Sequence, residues 1–117
     1  MRTLNLSRPV TYTLDGSGNG TLQTGPSSAG EAWYPVSVQI TSSGTVTVAN
    51  LATCTLYAGS AADAGNFVDA TYNVFAAASS IISGQVLYPG QYVFAVFSGA
   101  AAGAVATIVV NGSRTVP

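Results

Sequence analysis

The chain has 117 residues, enough for one domain, and only seven are charged: Arg2, Arg8 and Arg114 against Asp15, Glu31, Asp63 and Asp69. Three Arg cannot form a phosphate-tracking stripe, which argues against nucleic acid as a partner. The absence of His removes the usual general base and imidazole metal sites, and the single cysteine, Cys54, excludes an internal disulfide.

Charged residues make up 6% of the chain, where about 25% is usual, so the surface must be coated with Ser, Thr, Asn, Gln and backbone. A net charge of −1 gives neighbouring copies little reason to stay apart. The first residues, MRTLNLSRPVTYTL, contain no continuous apolar run of the secretory kind, so synthesis in a reducing cytoplasm is expected. On that reading the sequons at Asn5, Asn19 and Asn111 carry no weight. Residues 1–8 could be an extended N-terminal arm on the single domain 1–117.

The first strand signal is Val10, Tyr12 and Leu14 on one face with Thr11 and Thr13 on the other. DGSGNG at 15–20 follows. Asp15, Ser17, Asn19 and Gly20 loosely match half of a calcium loop, but Pro26 stands where the bidentate Glu belongs. A glycine-rich hairpin turn explains the same residues without a metal.

After GPSSAG at 25–30, EAWYP sets Trp33 beside Tyr34. Adjacent aromatics could stack on sugar rings, yet neighbours along a strand point to opposite faces, so at most one would lie on a platform. The single Trp of a small β domain is more often core. Val36, Val38 and Ile40 alternate with Ser37 and Gln39, Val46 and Val48 with Thr45 and Thr47, and Cys54 and Leu56 with Thr53 and Thr55. Asp63 and Asp69, six apart in an Ala/Gly-rich loop, could form the carboxylate pair a glycosidase needs, but with no second polar cluster to support them solvated loop acids are the better reading.

The stretch from Gln91 to Val110 has no charge and carries Gly99 and Gly103 at the small-xxx-small spacing of membrane helices. Its Val, Ile and aromatic content and its Gly-bounded middle predict a hairpin instead, with strands at 91–98 and 104–110. Both faces are apolar, so both should be covered. Val93, Phe97, Val105 and Val109 are expected to face a neighbouring subunit, unless a segment such as Thr71–Ser83 covers them. Trp33, Val36, Val38, Ile40, Cys54, Leu56, Phe94, Val96 and Ile108 are the expected core. The alternation and turn spacing together predict an all-β fold: a single β-sandwich, jelly-roll-like or immunoglobulin-like, of about seven or eight antiparallel strands.

SRPVTYTLDGSGNGT, GEAWYPVSV, ATCTLYAGS, FVDATY and LYPGQYVFAVFSGAAAGAVATIVVNGSRTVP together resemble small all-β virion proteins of tailed bacteriophages that infect actinobacteria. The resemblance spans Thr3 to Pro117 and includes no catalytic motif. It implies a non-enzymatic capsid decoration or minor capsid protein at the virion surface, bound to the major capsid protein and to copies of itself, as a trimer or other symmetric homo-oligomer. It implies no cofactor, metal, nucleic acid or membrane. A tail or surface module that binds host carbohydrate is the alternative.

Overall fold

The computed structural model describes residues 1–43, 52–74, 77–82 and 84–117, with the side chains of 52, 70–74 and 77–81 left aside. The described strands are β1 (Arg2–Thr13), β2 (Gly20–Thr24), β3 (Ala32–Ser42), β4 (Ala52–Gly59), β5 (Phe67–Val74), β6 (Ala77–Ile81), β7 (Tyr92–Ser98) and β8 (Val105–Val116). The Val46/Val48 alternation lies outside the described residues.

The pairing has a simple rule. β1 pairs with β8, β2 with β7, β3 with β6 and β4 with β5, all antiparallel, as in one long folded ribbon. Rolling the ribbon brings β3 against β8 and β4 against β7, which closes two four-stranded sheets in the orders β1-β8-β3-β6 and β2-β7-β4-β5. This is jelly-roll topology. An immunoglobulin-like sandwich would place β1 beside β2 in one sheet, whereas here they lie in opposite sheets.

Apolar alternation aims one face of each sheet inward. Leu6, Val38, Ile40, Ala106, Ile108 and Val110 of the first sheet meet Leu22, Cys54, Leu56, Val93, Ala95 and Phe97 of the second. Sealing that interior is the main stabilising term, at about 25 cal/mol per Å² of apolar surface removed from water.

The two corners of the ribbon turn together. Asp15 O accepts from Gly18 N and Gly103 N, Gly18 O accepts from Ala100 N, and Asn19 Oδ1 accepts from Gly99 N. Gly18 lies at φ 74°, and a Cβ there would land on the Ala100 carbonyl, so the sequence needs glycine at this crossing.

Several expectations are corrected. Residues 91–98 and 104–110 do not form a hairpin, because β7 and β8 belong to opposite sheets and the Gly99–Gly103 segment is a corner between them. DGSGNG is likewise a corner rather than a hairpin turn. Val93 and Phe97 are fully buried in the sandwich and face no neighbour. Val96 is half-buried on the opposite face of β7, and Phe94 is buried there, outside the central core.

Val36 is 57% exposed because the β3–β8 register slips between Pro35 and Ser37, a bulge that reverses which residues face inward. Gly112 sits opposite that bulge, where a Cβ would strike Tyr34 O and the Pro35 backbone. Residues 2–8 are no loose arm, since each is in register with a residue of β8 between Val110 and Val116. Within 71–83, the described residues 71–74 end β5 and 77–81 form β6, so these are strands rather than a covering loop.

Candidate functional site

Three of the seven charges converge on Trp33. β8 is in register with the start of β3, Arg114 opposite Trp33, so the Arg114 guanidinium comes beside the loop that carries Glu31. Arg114 Nη1 donates to Glu31 Oε2 at 2.8 Å across 83 residues of sequence, and Ser27 N–H donates to Glu31 Oε1 at 3.3 Å. Glu31 is only 5% exposed, covered by the 27–30 turn and Arg114 rather than sunk in the apolar core.

Burial pushes the Glu31 pKa up, but Arg114, the Trp33 indole and the Ser28 and Ser27 backbone outweigh it and hold the carboxyl below its usual value. Arg8, from β1, places its guanidinium 5.4 Å from the centre of the Trp33 ring. Trp33 itself is 1% exposed, and its Nε1–H makes no hydrogen bond of ordinary geometry, although it lies close enough to Glu31 to favour the carboxylate. The cluster has no nucleophile beside a base. Its arrangement is that of a clamp joining the 26–31 loop to β8 and β1.

Trp33 is therefore core, as expected, and does not form a sugar platform with Tyr34, which lies on the outer face. Val38, Ile40, Cys54, Leu56 and Ile108 are also fully buried. Burial pushes the Cys54 thiol up to about 12, which leaves it without thiolate at neutral pH. Asp15 Oδ1 accepts from Ser17 N at 2.8 Å and Asn19 N at 3.0 Å, and these bonds, with Asn19 first, hold its carboxyl below the usual value. The DGSGNG carboxylate thus serves its own turn. Asp63 precedes the 3-10 turn Ala64–Asn66, whereas Asp69 lies in β5 opposite Leu56. Among the described residues, no three of the His, Cys, Asp and Glu side chains group as metal ligands would.

The outer faces of the two sheets differ. On the second sheet, Gln23, Phe94, Tyr57 and Phe67 stand in register across β2, β7, β4 and β5. Tyr92 and Phe94 pack edge to face at 5.7 Å, as do Tyr57 and Phe67 at 6.3 Å. Phe67 is 54% exposed. Thr21, Thr55 and Val96 form the next row. Exposed Phe67 on edge strand β5 beside half-buried Tyr57, with uncharged polar side chains next to them, has the composition of a protein-contact surface.

Sequence reasoning missed this row. Its one local signal was Tyr57 in CTLYAG, an aromatic on the wet face of a strand whose other face carries Cys54 and Leu56. Nothing local ties Arg114 to Glu31. A comparison with protein-family models gives no match, and neither does one with curated proteins.

Proposed function

We propose that this chain is a non-enzymatic virion structural protein, a capsid decoration or minor capsid subunit that docks on the major capsid shell and stabilises it. The observation that carries the reading is the outer face of the second sheet, where exposed Phe67 packs on half-buried Tyr57, free of Lys, Arg and Glu and flanked by Gln23, Thr21 and Thr55. Such a surface binds through apolar burial and backbone or hydroxyl hydrogen bonds. The resemblance to small all-β phage proteins supplies the shell as partner.

Co-sedimentation with capsids lacking the protein tests the reading. Binding should persist from about 50 mM to about 1 M NaCl, because screening over that range weakens ion pairs and leaves burial intact. Phe67→Ala should reduce it while leaving the fold unchanged. Mass spectrometry of purified virions should give a copy number that scales with the shell's subunits. A handful of copies together with binding to host glycan would establish the tail or surface carbohydrate module instead, with the same aromatic row as its platform.

A further inference from the structure

The outer face of the first sheet has a different character. Its central strand β8 shows Val105, Thr107, Val109, Asn111, Ser113 and Thr115 outward. The odd-numbered residues of β1, from Thr3 to Thr13, are all exposed beside them, and Gln39 and Thr41 of β3 continue the rows. Pro9, Val109 and Gln39 stand in register, as do Thr11, Thr107 and Thr41, with Thr11 Oγ1 3.1 Å from Thr107 Oγ1.

None of the seven charges lies on this face. Arg2 and Arg8 share the inward parity of β1, Arg114 is paired at the mouth of the sandwich, Asp15, Glu31 and Asp63 are in loops, and Asp69 is in the other sheet.

We infer that a second copy of this chain stacks on this face, across a two-fold axis. Two observations select that occupant. The three strands of 11 and 12 residues, spaced as in any sheet, give a face of about 40 by 14 Å, and the 5-residue β6 extends it to roughly 630 Å². That lies at the lower end of the ~600–1,000 Å² per partner of standard-size interfaces. The corresponding face of the second sheet, on strands of 5 to 8 residues, reaches roughly 440 Å² and falls below that range.

The other observation is electrostatic. In a two-fold contact each patch meets its own copy, so any charge near the axis would meet a like charge. A face without formal charge carries no such repulsion, and its Thr methyls, Val105, Val109 and Pro9 supply apolar area between hydroxyls that can bond directly or through water. The inference rests on the association role proposed above, but it concerns the opposite sheet, so either can fail alone.

Sedimentation equilibrium on the full chain tests it. Wild type should be a dimer. Gln39→Lys and Thr107→Lys, each placing like charges across the axis, should weaken dimerisation by about 100-fold. Gln23→Lys, the same charge change on the second sheet, should leave it unchanged, and circular dichroism melts should confirm that all three fold. A wild-type monomer at about 1 mM overturns the inference. So does a closed trimer, or a dimer that Gln23→Lys dissociates and Gln39→Lys does not. If capsid binding is lost on Phe67→Ala while the dimer persists, the two surfaces are separate, as inferred.

Discussion

Phe97→Ala offers the most direct measurement of which way β7 faces. Phe97 is fully buried between the sheets, opposite Cys54 of β4 and Gly20 of β2. Truncating such a ring removes its transfer free energy and leaves a cavity, at a cost of about 3–5 kcal/mol. A 117-residue domain has an unfolding entropy near 0.25 kcal/mol/K, so the midpoint should fall by about 12–20 °C. Against a total stability of roughly 6–18 kcal/mol, the variant should still fold at room temperature.

Val96→Ala, one residue away and half-buried on the outer face, should cost only about 1 kcal/mol, or ~4 °C. Thermal melts followed by far-UV circular dichroism, supported by urea titrations, give both values. The opposite facing, with Phe94 and Val96 inside and Phe97 outside, predicts the reverse order. A Phe97→Ala midpoint within about 4 °C of wild type, or a Val96→Ala loss equal to it, would refute the placement.

Cys54, with its thiol pushed up to about 12 and fully enclosed, should resist iodoacetamide at pH 8 and react quickly once urea unfolds the chain; labelling of native protein at the unfolded rate would contradict its burial. Glu31 has a lowered native pKa, so the stability it contributes is fully present above its unfolded value and is lost as pH falls through the native one. Urea midpoints should therefore drop between pH 5 and more acidic solution, and that slope should flatten in Glu31→Gln; an unchanged slope would mean that Arg114 does not hold the carboxylate. Gly18→Ala should destabilise by about 2 kcal/mol or more, through both its positive φ and the blocked Ala100 carbonyl, whereas Gly16→Ala meets nothing and should lie within about 0.5 kcal/mol of wild type by calorimetry.

The β class was legible because alternation is a local property. Val38/Ile40 and Cys54/Leu56 each had polar neighbours on the other parity, so the inward face could be named before any partner strand was known. Trp33 is buried as the usual place of a lone Trp in a small β domain suggests, not because of alternation, since its neighbours are Ala32 and Tyr34. The failures have one origin. Both parities of β7 are apolar, so nothing within Gln91–Ser98 says which one the opposite sheet will cover, and the structure gives that place to Val93, Ala95 and Phe97. Val36 was misplaced because a bulge depends on Gly112 in another strand, not on the residues around it.

The hairpin expected over 91–110 failed for the same reason at larger scale. Gly99 and Gly103 mark where the chain turns, but a turn within a sheet and a corner between sheets use the same glycines. The choice rests on where β1 and β2 lie, nearly a whole chain length away. The clamp of Arg114, Glu31, Trp33 and Arg8 and the row of Gln23, Phe94, Tyr57 and Phe67 are set by strand register in the same way. Local pattern sufficed for the all-β class, for the strands around Val38, Cys54, Val93 and Ile108, and for the scarcity of charge, but not for β2, β5 or β6, whose short windows carry no clear alternation. The sheet each strand joins and the side chains that meet there emerge on folding alone, because strand pairing is a long-range contact whose free energy no short window of residues contains.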